Sequence, residues 1–237
     1  MLIFVIATRN AHKVGEIRAI LGNGFRYVSL DGFDGVPEVI EDAGTFAGNA
    51  TKKAIALAKW LSHSQAIGTT AGHGPPRTKT SRMLVLADDS GLEVDALGGA
   101  PGVHSARFAA LDTGQSGNSP TAQNNAKLLR LLADVPLEKR TARFRCVVAL
   151  TPVPGQISEA ASPVCYAEEA ELETELFEGT CEGRIGTVLS GRGGFGYDPL
   201  FIPQGYDRSF GELDEALKNK LSHRARALAL LRAKLTG

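Results

Sequence analysis

The first half of the chain alternates between short apolar runs and segments with apolar residues at helical spacing. Apolar residues fill 2–7 and 83–87, which predicts two buried strands, and a weaker run at 27–30 predicts a third. Residues 11–21 and 45–61 carry apolar side chains three and four positions apart, which predicts helices between these strands. This alternation is typical of an α/β fold.

From Arg140 onward the apolar pattern has a period of two residues. The segments Thr141–Thr151 and Val164–Phe177 read as long strands separated by a Pro/Gly/Ser loop, so they predict a hairpin, followed by a turn and a short strand at Glu178–Val188. An amphipathic helix precedes the hairpin at Thr121–Leu132. Its expected inward residues are Ala122, Ala126, Leu129 and Leu132.

The last segment is helical, with Asp214 as a good N-cap. Lys218, His223 and Arg224 cannot all project the same way from one straight helix. Either the helix is interrupted, with Ser222 as a second cap, or a ligand lies across its flank. Surface exposure is the competing interpretation, above all for Arg224.

These elements predict an α/β protein with a mixed, twisted sheet. The sequence shows neither an internal repeat nor a linker, so we expect one domain over residues 1–237. Residues 62–82 are rich in Gly, Pro, Ser and Thr, which predicts a flexible surface insertion, and His63 and His73 within it are expected to be solvated.

Composition narrows the class of protein. Lys plus Arg and Asp plus Glu total 26 each, and this zero net charge argues against a protein that coats nucleic acid. Cys146, Cys165 and Cys181 are far apart and odd in number, which disfavours a zinc site or a disulfide framework. No run could span a membrane and the start lacks a signal-peptide pattern, so a cytoplasmic location with no membrane partner is expected.

Candidate chemistry begins with the polar run that follows the strand at 83–87. Asp88, Asp89, Ser90 and Gly91 fall at its expected carboxyl end, where ligand crevices form in open α/β sheets. Adjacent aspartates repel unless a cation or a proton lies between them. The local alternative, a solvated turn, is about equally favoured by these residue types.

Two further segments could bind a ligand. Thr8, Asn10 and Lys13 stand where a strand turns into a helix, a place that attracts phosphate, although helix capping by Thr8 or Asn10 competes with that interpretation. The glycines of 191–199 would let the backbone approach a flat ligand beside Phe195 or Tyr197, although a glycine-rich hairpin tip is the simpler alternative. Its G-x-G-x-x-G pattern opens no helix, so a dinucleotide fingerprint is disfavoured.

Glu41 precedes the second helix, where an acidic residue usually just favours the helix dipole. If the loops meet, however, Glu41, Asp88 and Asp89 would form a carboxylate cluster beside a phosphate corner. Carboxylates with phosphates imply Mg²⁺, a hard cation that prefers oxygen ligands. A flat pocket next to a phosphate site implies a nucleotide.

Four motifs in order carry a specific resemblance: ATRNAHK (7–13), ADDSGLEVDALGGAPGVHSARF (87–108), GGFGYDPLF (193–201) and LSHRARAL (221–228). Over nearly its whole length the chain resembles the inosine/xanthosine triphosphate pyrophosphatases, the RdgB/HAM1 family. The resemblance implies an elongated α/β fold with two lobes around a central cleft, and a homodimer. It also implies Mg²⁺-dependent hydrolysis of ITP, dITP or XTP to the monophosphate and pyrophosphate.

The resemblance also assigns roles to residues. It makes Asp89 the proton acceptor, and Glu41 and Asp89 the metal ligands, with Asp88 as a further candidate. The residues implied to hold the phosphates are Thr8, Arg9, Asn10, Ala11, His12 and Lys13, and Ser90 is implied to contact the substrate. The residues implied to form the base pocket are Phe195, Gly196, Tyr197, Asp198, Lys218, His223 and Arg224. In this mechanism Asp89, sharing a proton with Asp88, orients the water that attacks the α-phosphorus.

Two other functions stay open from the sequence. A phosphohydrolase that releases orthophosphate would share these residues, and a non-catalytic nucleotide-binding module would need the phosphate and base corners without three carboxylates. The expected partners are purine nucleoside triphosphates rather than nucleic acid polymers. Donors from Lys218 or His223 would suit a purine 6-carbonyl and leave the 6-amine of ATP unpaired.

Overall fold

The computed structural model describes residues 1–63, 82–114, 116–154 and 173–236. These residues contain six strands that form one sheet in the order β2-β1-β3-β4-β5-β6. The strands are β1 (Leu2–Ile6), β2 (Arg26–Ser29), β3 (Arg82–Val94), β4 (Thr141–Pro152), β5 (Glu175–Ile185) and β6 (Phe201–Pro203). The helices are α1 (Ala11–Leu21), α2 (Phe46–His63), α3 (Thr121–Leu131), α4 (Glu215–Leu221) and α5 (His223–Thr236).

The sheet is mixed, as the sequence predicted. β1 lies between β2 and β3 and pairs with both in parallel, whereas β3, β4, β5 and β6 pair antiparallel in turn. β3 therefore belongs to both halves, with β1 along its first part and β4 along most of its length.

The prediction of a turn after residue 87 was wrong. β3 continues through Asp88, Asp89, Ser90 and Gly91 to Val94, and each of these residues pairs with β4. Antiparallel pairing with β4 holds this polar run extended where local turn propensity alone would bend it. The pairing with β1, however, ends at Leu86, so the polar run still lies just past the end of the parallel strands.

The hairpin was predicted correctly in kind but not in its second strand. β4 matches the prediction, whereas β5 begins at Glu175, so it overlaps the predicted strand at 164–177 only at its end. Residues 155–172 lie outside the described part of the chain. The segment predicted as a turn from Glu178 is strand instead, because Gly179 and Gly183 give room for α5 and for Phe201 to pack closely.

Helices cover both faces of the sheet. α2 packs on one face through Phe46, Ala50, Ala54, Leu57 and Leu61, all buried as predicted. α1 and α5 pack on the other face around Ile17, Leu228 and Leu231. A third apolar cluster fills the antiparallel half beside α3 and α4.

The inward face predicted for α3 was correct for Leu129 and Leu132, which pack into the core, and wrong for Ala122 and Ala126. Its buried residues are Asn124, Asn125 and Leu128, while Ala122 and Ala126 are exposed. The two asparagines are buried because their amides bind backbone groups of neighbouring loops, at Ala109 and Gly196 for example. An apolar periodicity could not reveal this polar packing.

The structure leaves several predictions untested. Residues 64–81, including His73, and Cys165 lie outside the described residues. Cys146 and Cys181 are free buried thiols, as expected. Within the part of the chain that the structure describes, no helix has the length and hydropathy needed to cross a lipid bilayer.

Gly179 offers a test of how the sheet positions α5. A Cβ at this position would overlap the carbonyl oxygen of His223 and lie 2.5 Å from the amide nitrogen of Ala227. Gly179→Ala should therefore destabilise the protein by about 1–3 kcal/mol, because the start of α5 must move. Urea denaturation measures the change. Gly24→Ala, at an open position, is the control, and equal stability of the two variants would contradict this packing argument.

Candidate active site

A cleft of about 1180 Å³ opens between the two halves of the sheet. Its walls come from the start of α1, the loop before α2, the middle of β3, the loop after β5 and the helices α4 and α5. It brings together the sequence-predicted residues Thr8, Arg9, Asn10, His12, Lys13, Glu41, Asp89, Ser90, Phe195, Gly196, Tyr197, Asp198, Lys218, His223 and Arg224. Ala11 is not among the lining residues, and Asp88 lies buried behind them.

The turn before α1 forms one end of the cleft. The Asn10 carboxamide oxygen accepts hydrogen bonds from the backbone nitrogens of His12 at 3.0 Å and Lys13 at 3.3 Å, so Asn10 caps the helix. The Thr8 hydroxyl in turn accepts from the Asn10 nitrogen at 3.2 Å. Helix capping, the alternative left open by the sequence, is thus the role of the Asn10 side chain in this structure. The ammonium of Lys13 forms an ion pair with Asp88.

Asp88 is a buried carboxylate surrounded by donors. Arg224 Nε donates to its Oδ2 at 3.1 Å, and the Cys146 thiol donates to the same oxygen at 2.8 Å. Burial alone would raise the pKa of Asp88, but the charges of Arg224 and Lys13 outweigh it and hold that pKa well below the usual range. Asp88 is therefore a permanent counter-ion for the two cations.

Glu16 extends this ion pairing toward the other end of the cleft. It forms an ion pair with Arg224 and accepts from Lys218 Nζ at 2.7 Å, and the same ammonium lies 2.6 Å from Asp198 Oδ2. Burial lowers the pKa of Lys218, but the two carboxylates raise it by more, so Lys218 stays charged. We call the alternating series Lys13, Asp88, Arg224, Glu16, Lys218 and Asp198 the buried charge chain.

Asp89 lies in a separate group formed with α2. Lys53 Nζ contacts Asp89 Oδ1 at 3.2 Å and Glu41 Oε2 at 3.1 Å, and it donates to the Asp88 carbonyl oxygen at 2.9 Å. The Asn49 amide donates to Asp89 Oδ2 at 3.2 Å. Burial, with a contribution from Glu41, raises the pKa of Asp89 above its usual value despite Lys53. Glu41 and Asp89 thus lie together at the ammonium group of Lys53.

The two adjacent aspartates face opposite sides of the sheet, since successive side chains of a strand alternate. Asp88 points to Cys146 and to Arg224 of α5, whereas Asp89 points to Asn49 and Lys53 of α2. The expectation that they share a proton was therefore wrong, because extended strand geometry separates the carboxyl groups.

The aromatic corner is held by Asp198. Its carboxylate accepts from the Phe195 nitrogen at 2.7 Å, and Gly194, at φ +71°, leaves the space that this carboxylate occupies. Tyr197 is buried and its hydroxyl donates to the Ser105 carbonyl at 2.9 Å, so it serves as packing. Phe195 is left partly exposed as the flat surface of this corner, with Lys218 Nζ 4.8 Å from the centre of its ring.

The break between α4 and α5 positions His223. Ser222 ends α4 and its hydroxyl accepts from the Ala225 nitrogen at 3.2 Å, so the interrupted helix with a second cap is the correct alternative. His223 stacks on Phe144 at 4.8 Å, and its Nδ1 has no hydrogen-bond partner among the described residues. Burial and the neighbouring Arg224 lower the pKa of His223 well below its usual value, so its ring is neutral. Arg224 is buried and lines the cleft, so the competing interpretation of surface exposure was wrong.

Sequence reasoning missed four residues that shape the cleft: Glu16, Asn49, Lys53 and Asn125. Glu16 lies one turn after Lys13, and Lys53 lies one turn after Asn49, so each pair shares a helix face. The spacing of these residues is visible in the sequence, but the burial of their side chains is not. Asn125 holds the Gly196 carbonyl at 3.1 Å and carried no pattern at all.

The fold and the cleft define a class of protein: an α/β protein whose cleft suits a ligand with an anionic chain at one end and a flat ring at the other. A sequence model of the Ham1 family matches residues 4–234. The chain belongs to the Ham1 family.

Individual relatives agree with this assignment. The chain is 46% identical over 225 residues to a dITP/XTP pyrophosphatase of Desulforamulus reducens, covering 94% of this chain and 90% of the relative. It also resembles solved structures of a HAM1 protein from Coxiella burnetii (TM-score 0.72, 32% identity, 100% and 99% coverage) and the Ham1 protein of Staphylococcus aureus (TM-score 0.71, 31% identity, 98% and 97% coverage).

Glu16→Gln tests the buried charge chain. The change removes one negative charge and leaves the cations Lys218 and Arg224 with one carboxylate partner each. We expect a loss of about 3–5 kcal/mol in the free energy of unfolding, because the buried charge chain is left with one uncompensated positive charge. Urea denaturation would show it, with the exposed Glu138→Gln as the matched control. If Glu16→Gln is as stable as the control, the buried charge chain contributes little to the free energy of unfolding.

Proposed function

We propose that this protein hydrolyses ITP, dITP and XTP to the nucleoside monophosphate and pyrophosphate. One observation carries the proposal: a single cleft joins a cationic turn, two carboxylates around one cation and a partly exposed aromatic ring. The name of the relative from Desulforamulus reducens, a dITP/XTP pyrophosphatase, supports the same reaction.

Mg²⁺ is the metal that this site would hold, through Glu41 and Asp89. Among the described residues, no three His, Cys, Asp or Glu side chains are grouped closely enough to form a metal site alone. The two carboxylates and the Asp88 carbonyl nevertheless turn three oxygen atoms toward one ammonium, a donor set that fits a hard cation completed by phosphate and water. When bound, the metal would neutralise the triphosphate and polarise its oxygen atoms.

Asp89 is the proposed proton acceptor. Its raised pKa suits a group that takes a proton from water near neutral pH, and the contacts to Asn49 and Lys53 fix its orientation. The water oxygen forms a bond to the α-phosphorus, the bond to the oxygen bridging the α- and β-phosphorus breaks, and the water proton passes to Asp89. Lys13 and Lys53 line the same cleft and would offset the charge on departing pyrophosphate.

The aromatic corner would select the base. A purine would stack on Phe195, with the charged Lys218 and the neutral His223 beside its six-membered ring. A 6-carbonyl accepts a hydrogen bond from the ammonium, whereas the 6-amine of ATP would place a donor against a donor. A mismatch of this kind can discriminate by a factor on the order of 10⁴.

The homodimer that the family resemblance implied and the cytoplasmic location that the sequence analysis expected complete this proposal. Size-exclusion chromatography with light scattering would measure the oligomeric state directly.

Product analysis tests the reaction. With Mg²⁺ present, we expect pyrophosphate from ITP, dITP and XTP, far slower turnover of ATP, and loss of activity when EDTA removes the metal. Release of orthophosphate would favour the terminal phosphohydrolase instead, and nucleotide binding without any product would favour the non-catalytic module. Chromatographic separation of the nucleotide products, together with assays for both phosphate species, distinguishes the three.

Asp89→Asn tests the proton acceptor. We expect kcat to fall on the order of 10²–10⁴-fold, because the amide cannot take up the proton, while nucleotide binding persists. Steady-state kinetics with ITP, combined with equilibrium binding of inosine monophosphate, measures the two effects. The exposed Asp134→Asn is the control, and near-normal turnover of Asp89→Asn would remove Asp89 from the mechanism.

A further inference from the structure

The flat surface of the aromatic corner is already in contact with another ring. The imidazole of His12 lies nearly parallel to Phe195, with ring centres 5.3 Å apart and an angle of 16° between the planes. His12 belongs to the first turn of α1 and is exposed. Among the described residues, its imidazole makes this ring contact and no hydrogen bond.

A purine cannot enter between these two rings as they stand. Each aromatic contact requires about 3.5 Å between planes, so a base held between His12 and Phe195 would need roughly 7 Å. Ring centres 5.3 Å apart do not leave that space. The His12 imidazole and a nucleobase therefore compete for the same face of Phe195.

The groups around Phe195 differ in their freedom to move. Its backbone nitrogen is bound to Asp198, and the two cations that approach its ring, Lys218 and Arg224, are held by the buried Glu16. Only side-chain rotation is needed to move the His12 ring, since its backbone nitrogen can keep its bond to the Asn10 cap. The imidazole is thus the group that yields to a ligand.

We propose that His12 covers the base-stacking face of Phe195 in the free protein and that the purine of the substrate displaces it. This inference rests on the proposed function, because it takes the ligand to be a purine nucleotide. It gives His12 a role at the base end of the cleft, whereas the family resemblance placed it with the phosphate-binding residues.

An internal competitor has a defined kinetic signature. It weakens the binding of every ligand that must stack on Phe195 by the same factor, and it leaves ligands that bind only the phosphate end unaffected. A stacked aromatic pair of ordinary strength corresponds to a factor of roughly two to ten. KM should carry the effect, since the ring is displaced before the reaction begins.

His12→Ala tests the proposal. We expect KM for ITP and XTP to fall by the same factor, roughly two to ten. His12→Trp, with a larger ring to displace, should raise both KM values. The control is His63→Ala, at an exposed histidine at the end of α2 outside the cleft. Unchanged KM values in His12→Ala would overturn the proposal.

Inorganic tripolyphosphate, used as a competitive inhibitor, separates the alternatives. If His12 covers Phe195, the inhibition constant is the same in the wild type and in His12→Ala. If His12 instead binds phosphate, the inhibition constant and the KM values rise together. If it stacks on the far side of the base, KM rises while the inhibition constant is unchanged. Either of the last two results would overturn the proposal.

A binding measurement keeps this inference distinct from the proposed reaction. Calorimetric titration with inosine monophosphate needs no turnover, and His12→Ala should bind this ligand more tightly than the wild type. In the free wild type, Phe195 should shift the proton resonances of the His12 ring, and bound monophosphate should abolish that shift. If both effects are observed but the wild type releases no pyrophosphate, the proposed reaction is refuted and the proposal for His12 stands. If the wild type hydrolyses ITP but neither effect is observed, the proposal for His12 is refuted and the proposed reaction stands.

Discussion

Pairing between Arg224 and the two carboxylates on either side of it is the interaction on which the cleft depends. Arg224 is fully enclosed, so its buried charge depends on the carboxylates of Asp88 and Glu16 that lie beside it. Each of these carboxylates then holds a lysine, Lys13 at one end and Lys218 at the other. Because a buried charge without a partner is strongly unfavourable, the buried charge chain sets the spacing between the phosphate end and the base end of the cleft.

The extended geometry of β3 gives its two adjacent aspartates different surroundings. Asp88 points to the α1 and α5 face and is saturated by donors, whereas Asp89 points to the α2 face and shares Lys53 with Glu41. Alternation along an extended strand places two identical side chains in different electrostatic surroundings. Their pKa values move in opposite directions for that reason, downward for Asp88 and upward for Asp89.

Local patterns predicted the fold class and the positions of most elements because apolar periodicity reports burial directly. The extent of β3 and β5 was not predictable in this way, since long-range pairing with β4 overrides the local turn tendency of Asp, Ser and Gly. The sequence identified many of the charged and aromatic residues that line the cleft. The partners that give these residues their properties, Glu16 and Lys53, lie on helix faces whose burial depends on what packs against them.

The close approach of α5 to Gly179 affects how this protein can diverge. His223 and Arg224 begin a helix that rests directly on β5, so altering their position requires rebuilding the sheet beneath them. Phe195 and His12, in contrast, stand on a loop and on an exposed first turn. Evolutionary changes in nucleobase preference should therefore accumulate at the latter pair, while the helix start stays constant across descendants of this gene.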